Sequence, residues 1–248
     1  MLGQTTAPGA SSARQVPPAG ERRARAIRVK AQRKLESRIG QAAALLFEGR
    51  GRERPFEGGS VLARRDEAGN DVFIVLRGIV GLYQDRPSGG RVLGYCGGGD
   101  LVAPAAPGKA WEFDAKALSD GELLALSLRE VRTPETGKPD LLWPLFEAAC
   151  AELARRTDRL RGYWALPVKA RLAAFLFEME EIIGETSEGV LILHLPMFRD
   201  EIADYLVTRT ETICRILTGW KERGLIVMES PRIVVIPDSA RLWAAASE

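Results

Sequence analysis

The stretch Leu195-Pro196-Met197-Phe198-Arg199-Asp200-Glu201-Ile202-Ala203-Asp204-Tyr205-Leu206 decides the reading of the chain, together with Val207-Thr208-Arg209-Thr210-Glu211-Thr212-Ile213-Cys214-Arg215-Ile216-Leu217 after it. Ile202 and Leu206 stand four apart on one helix, and Ala203 is small enough for a partner helix to cross closely. After a short turn, Ile213, Leu217 and Trp220 form one apolar face of a second helix over about Arg209–Arg223. The runs Leu225–Met228 and Ile233–Ile236 then flank Glu229-Ser230-Pro231-Arg232, which predicts a hairpin. Two short helices, a tight turn and a hairpin describe a winged helix-turn-helix.

Working outward, Val190–Leu195 reads as a strand. Pro167 ends one helix and Val168 starts another, with Leu172, Phe175, Leu176, Met179 and Ile183 on its buried side. The helix before Pro167 runs from Pro144, tolerated in a first turn, to about Leu166. Along it Phe146, Ala149, Leu153, Leu160 and Tyr163 keep steps of three and four, interrupted by Arg156. Such a stripe on a connecting helix predicts a parallel dimer seam, the alternative being packing on its own domain. Leu142, Leu145 and Cys150 extend the apolar surface toward the preceding domain.

Between residues 50 and 130 the texture changes. Val72–Leu76, Ile79–Tyr83, Arg91–Tyr95 and Leu123–Leu128 alternate with glycine-rich turns, which predicts an antiparallel sandwich or barrel. Gly97-Gly98-Gly99-Asp100 opens no helix, so it reads as a turn and not as a phosphate loop. The expected fold is α+β. Residues 1–40 form a basic, disordered or loosely helical tail and 41–133 a β-roll, a jelly roll of sensor-like type. Residues 134–166 form a connecting and dimerisation helix, and 167–248 the winged helix-turn-helix. Gln41 to Phe47 reads as a short helix leading into the roll.

Composition narrows the chemistry. Of 248 residues, one is histidine and three are cysteine, Cys96, Cys150 and Cys214. A lone His194 between apolar neighbours excludes a histidine-rich metal site and leaves Ser-His or Cys-His catalysis without support. No enzyme activity, metal or cofactor is expected. The cysteines suit a reducing compartment, and no apolar run reaches the ~18–20 residues that span a bilayer, so a cytoplasmic protein is expected. The net charge of +2 hides a basic start: residues 1–50 carry ten basic and three acidic side chains. Arg22 to Arg38 is open to reading as a solvated tail, as a loose DNA-backbone contact, or as the product of a start codon placed too far upstream.

On the second helix of the pair, Thr210, Glu211, Cys214, Arg215 and Thr218 lie opposite the apolar face, where a recognition helix meets base edges. Arginine can bind guanine O6 and N7 together, and glutamate can accept from cytosine N4. Arg199, Arg209, Lys221, Arg223 and Arg232 surround that face and are positioned to hold phosphates. The same face also fits an ordinary solvated helix, since residues 199–223 carry five basic and five acidic groups. The alternative is a ligand-binding β-roll protein whose second domain contacts protein instead of DNA.

These residues, with Lys221-Glu222-Arg223-Gly224-Leu225-Ile226, resemble the helix-turn-helix of the Crp/Fnr superfamily, on its Fnr and FixK-like side. Phe73-Ile74-Val75-Leu76-Arg77-Gly78, Gly98-Gly99-Asp100-Leu101 and Ala115-Lys116-Ala117-Leu118-Ser119-Asp120 resemble successive parts of that family's cyclic-nucleotide-binding-like roll. The similarity covers about residues 41–243. It implies a dimeric transcription regulator whose partners are double-stranded DNA, a second copy of itself and, for an activator, RNA polymerase. Glu211 and Arg215 match the pair that reads the family's palindromic half-sites. Thr210 falls where the cyclic-AMP-responsive branch has another reading arginine, and this pattern implies a TTGAT-type half-site. Cys214 stands where the Fnr branch usually has serine; beside Arg215 it is a candidate redox switch.

The chain also departs from the family. Val207-Thr208-Arg209 replaces Gly-Leu-Thr, and a β-branched valine is costly in a left-handed turn. Thr208 and Glu211 have capping-box spacing, another way to start the helix. Phe198 replaces a small hydroxyl residue. In the roll, Gly99-Asp100 lacks the family's ribose-binding glutamate and Pro107–Trp111 lacks its phosphate-binding arginine, so no cyclic nucleotide is expected. The family's oxygen-sensing branch holds an iron–sulfur cluster with four cysteines, but this chain has three and none before Cys96. Cys96 itself reads as a small buried hydrophobe in preference to a haem ligand.

Overall fold

A computed structural model describes residues 51–84, 91–104, 108–131, 142–187 and 190–247. The tail, the helix expected at Gln41 to Phe47 and Pro107 lie outside these residues. The four strands expected in the roll are present as β3 (Asp71–Arg77), β4 (Val80–Gln84), β5 (Arg91–Cys96) and β8 (Gly121–Ser127). They are joined by β1 (Arg52–Phe56), β2 (Val61–Ala63), β6 (Leu101–Val102) and β7 (Asp114–Ala117). Two antiparallel four-stranded sheets result, ordered β1-β8-β3-β6 and β2-β7-β4-β5. Alternation explains why they close on a core. Ala115 and Ala117 face inward on β7 with Lys116 outward, and they share one core with Leu82 of the adjacent β4 and with Phe73, Val75 and Leu123 of the other sheet.

The turns match their glycines. Gly78, between β3 and β4, has φ +90°, and a Cβ there would stand 2.7 Å from the Asp120 carbonyl oxygen. Asp100 closes the Gly97–Gly99 turn by accepting the Gly97 N–H at 2.8 Å, while Gly99 donates to the Val75 carbonyl. This is the turn expected from sequence.

A short helix α1 (Leu128–Val131) ends the roll, and the long helix α2 spans Leu142–Ala165 with Pro144 in its first turn. Helix α3 (Val168–Ile183) buries Ala170, Leu172, Ala173, Phe175, Leu176 and Met179; Ile183 is only half-buried. Strands β9 (Glu185–Ser187) and β10 (Val190–His194), helices α4 (Arg199–Tyr205) and α5 (Thr210–Glu222), and strands β11 (Val227–Ser230) and β12 (Ile233–Ile236) follow. The last three strands and β9 form one sheet, β11-β12-β10-β9, so β10 is the inner partner of the wing hairpin. His194 is an exposed residue of β10 opposite Ile233.

A final helix, α6 (Ser239–Ser247), was not expected. It is started by the Asp238 carboxylate, which accepts the Arg241 N–H at 2.9 Å, and it packs Leu242, Ala245 and Ala246 against the second core. That core does not stop at the winged helix-turn-helix: it takes in Ile79, Val92 and Tyr95 from the roll. Among the described residues, no helix is long and apolar enough to cross a membrane.

Candidate nucleic-acid interface

Helix α5 is amphipathic in the sense required. Ile213, Leu217 and Trp220 are buried, while Glu211, Cys214, Arg215 and Thr218 are exposed and Thr210 is half-buried. The apolar side seats on Ile202, Ala203 and Leu206 of α4 and its C-cap, which leaves the other side open to a groove. The helix begins after Arg209, whose backbone is extended and whose side chain caps nothing. The Thr208–Glu211 capping box is therefore not formed. Glu211 sits in the first turn, exposed, where the helix dipole favours its charge and no capping role competes for it.

The turn keeps the left-handed conformation despite its valine: Val207 has φ +52°. The Thr208 N–H reaches back to the Ala203 carbonyl at 2.9 Å and the Val207 N–H to Asp204 at 3.0 Å, so the hydrogen bonds of the turn hold it there. The family's glycine would meet no such strain. Because Val207 is 60% exposed, Val207→Gly gives up little burial. It is expected to stabilise the protein by about 1 kcal/mol, or about 2–4 °C in melting temperature. An unchanged or lower midpoint in thermal unfolding followed by circular dichroism would contradict this.

The cations expected to hold phosphates divide into two sets. Arg209, Lys221 and Arg223 are exposed around α5. Arg199 and Arg232 instead build the wing. Arg199 donates from Nη2 to the Pro231 carbonyl at 2.6 Å, and burial lowers its pKa, an effect opposed by the nearby Cys214. The Arg232 guanidinium lies 4.4 Å from the Phe198 ring centroid, a cation–π contact that turns the substituted Phe198 into a support for the wing tip. The Ser230 hydroxyl oxygen accepts the Arg232 and Ile233 N–H groups, closing the hairpin turn.

On α2, Phe146 is 58% and Leu153 67% exposed, and Ala149 is exposed beside them. Trp143, which the stripe did not include, packs its ring 5.7 Å from that of Phe146 and lengthens the apolar strip. Tyr163 departs from the strip: half-buried, it donates its hydroxyl to Glu178 of α3 and sets its ring against Tyr205, so it serves the chain's own interior. Cys150, expected to extend the apolar surface toward the roll, is exposed. The side chains of Leu142, Leu145, Arg156 and Leu160 lie outside the described residues.

The described part of the roll interior is filled by apolar side chains. Trp111 is only 5% exposed and stacks on Phe73 at 5.7 Å with an interplanar angle of 11°, with Phe113 edge-on to it. Lys116 lies over the Tyr83 ring, and no arginine occurs from residue 92 to 128 to face a phosphate. Cys96 is buried on β5, as a small strand residue.

Residues 170–245 match the Crp-like helix-turn-helix domain, and residues 53–133 match the cyclic nucleotide-binding domain. The transcriptional activator protein FnrL of Cereibacter sphaeroides is 30% identical over 209 residues, covering 79% of this chain and 80% of FnrL. The chain belongs to the Crp/Fnr family. The nitrogen fixation regulation protein FixK of Azorhizobium caulinodans is 28% identical over 179 residues, 71% of this chain and 72% of its own. Among solved structures, FixK2 from Bradyrhizobium japonicum superimposes with a TM-score of 0.65 at 22% identity, covering 77% of this chain and 95% of FixK2. Membership makes the protein a DNA-binding transcription regulator and not an enzyme.

Sequence reasoning missed the residues behind the recognition helix. Tyr83, Tyr95 and Tyr205 belong to separate elements, and no spacing relates them. The fold brings them together with Glu178, Glu201 and Asp204.

Proposed function

We propose that the protein works as a homodimer that reads a palindrome of TTGAT-type half-sites, with Glu211 and Arg215 on the bases. The observation that carries this reading is the open face of α5, where Glu211, Cys214, Arg215 and Thr218 are exposed over a buried apolar side. Thr210 and Cys214 flank the reading pair, and Arg209, Lys221 and Arg223 supply backbone contacts. Arg199 and Arg232 act through the wing. In this reading residues 41–133 are a sensor-like roll, 134–166 the dimerisation segment and 167–248 the reading domain. An activator of this kind would meet RNA polymerase beside its site.

The test is fluorescence anisotropy with a palindromic TTGAT duplex against a scrambled one, with salt stated. A preference for the palindrome supports the reading. Equal binding to both, or none, would favour a C-terminal domain that contacts protein.

Cys214 adds a condition to that binding. It is exposed one residue before Arg215, so oxidation would place polar, and in the higher states anionic, oxygen against DNA. Peroxide is expected to lower palindrome affinity of the wild type, and Cys214→Ser to bind while losing most of that sensitivity. Equal losses in the two proteins, with mass spectrometry locating the modification elsewhere, would remove Cys214 as the switch.

A further inference from the structure

The chain has four tyrosines, Tyr83, Tyr95, Tyr163 and Tyr205, and all four meet at one junction. They arrive from β4, β5, α2 and α4. The Tyr205 ring lies 5.2 Å from Tyr95, 6.1 Å from Tyr163 and 5.8 Å from Phe175 of α3, in edge-on arrangements. Tyr83 donates its hydroxyl to Glu201 Oε1 at 2.8 Å, and the other oxygen of Glu201 accepts the Phe198 N–H at 2.7 Å, at the start of α4. Tyr163 donates to Glu178 Oε2 at 2.8 Å, and Tyr205 to the same oxygen at 3.3 Å. The Val92 N–H of β5 donates to Asp204 Oδ2 at 2.6 Å. Arg171 of α3 donates to the Leu206 carbonyl at 2.7 Å, which holds the other end of α4.

Helix α4 is thus held by the roll on one side and by α2 and α3 on another, while α5 is seated on it through Ile202, Ala203 and Leu206. Burial first, and Glu201 second, push the Tyr83 hydroxyl far above its ordinary pKa, so it stays protonated and able to donate. No residue of the junction lies on the exposed side of α5. Each hydrogen bond is modest alone, but together they determine where α5 points relative to the roll and the dimerisation helix.

We propose that Tyr83, Tyr95, Tyr205, Glu201 and Asp204 are positioning residues for DNA reading, holding α5 in the orientation that lets both helices of a dimer meet their half-sites together. The proposal rests on the palindrome reading above and adds to it a geometric demand: two reading helices about 34 Å apart along one DNA face. A lesion in a positioning residue has a signature of its own. One half-site asks nothing of relative orientation, so binding to a single half-site survives, while binding to the complete palindrome falls. A merely structural lesion lowers both.

The experiment compares wild type, Tyr83→Phe/Tyr205→Phe, Asp204→Ala and Asp204→Asn as full chains. Each is titrated against a palindromic duplex and a duplex with one half-site, alongside hydrogen exchange of the DNA-free proteins. The double variant and Asp204→Ala are expected to lose about tenfold or more on the palindrome and less than twofold on the half-site. Exchange should quicken at Val92 and along α4 while β3 and α5 stay protected. Asp204→Asn keeps an acceptor oxygen and should restore most of the affinity. Equal losses on both duplexes, or wild-type palindrome affinity despite faster exchange at Val92, would overturn the proposal. A wild type that does not prefer the palindrome to scrambled DNA would refute the DNA reading itself, and this inference with it.

Discussion

Arg215→Ala is expected to weaken binding to a TTGAT-type palindrome far more than binding to scrambled DNA. The guanidinium is exposed on α5, one turn beyond Glu211, where it can reach a guanine edge. Loss of a bidentate base contact costs about 1–3 kcal/mol at each half-site. A dimer loses it twice, so the complete site weakens by about 2–6 kcal/mol, from tens of fold to roughly ten-thousand-fold. Lys221→Ala supplies the contrast. Exposed in the last turn of each copy, it should weaken all sequences evenly and reduce the salt slope by about one unit per copy, or about two for the dimer. Competition titrations separate the two effects, and an unchanged palindrome-to-scrambled ratio after Arg215→Ala would remove that residue from reading.

Leu153→Asp is expected to produce a monomer. Leu153 is 67% exposed on α2, on the same helix as the exposed Phe146 and Trp143. In a parallel pair of helices two copies of residue 153 would face each other, and two aspartates there would be desolvated like charges. Sedimentation should give 27.2 kDa in place of twice that mass. Affinity for the palindrome should fall at least about a hundredfold, because each monomer then holds one half-site without the other's help. The folded monomer should melt no earlier, since an exposed leucine contributes little to its own chain's core. A variant that still sediments as a dimer would place the seam elsewhere.

The fold was legible where periodicity carried it. Val72–Val75 and Leu123–Leu126 are buried on both sides of the sheet, so a continuous apolar run marked them. Ile213, Leu217 and Trp220 marked α5 by their 3.6-residue spacing. β1 was not legible, because Arg52-Glu53-Arg54-Pro55 is exposed except at Phe56 and is strand only through pairing with β8. The alanine-rich α6 lacks large apolar residues apart from Leu242 and Trp243, so its burial could not be read from composition. At the candidate interface, the reading face was legible because a helix wheel fixes it. The wing contacts of Arg199 and Arg232 were not, since whether an arginine meets phosphate or a carbonyl depends on what the fold brings beside it. Val207 shows the opposite error. Its intrinsic preference argued for another turn, but the packing of α4 against α5 and the hydrogen bonds on either side outweigh about 1–2 kcal/mol of local strain.

The hydrogen bond from Val92 to Asp204 has a consequence for colloidal behaviour. Strand β5 is the last of its sheet, and an open edge of that kind invites pairing with another chain. The carboxylate of α4 occupies one of its N–H groups, and the body of the helix stands over the strand where a neighbouring molecule would add. A roll cut away from its helix-turn-helix would present that edge bare, with Val92 and Tyr95 uncovered beside the already exposed Leu93. Removing the C-terminal domain is therefore expected to expose the roll to edge-to-edge association.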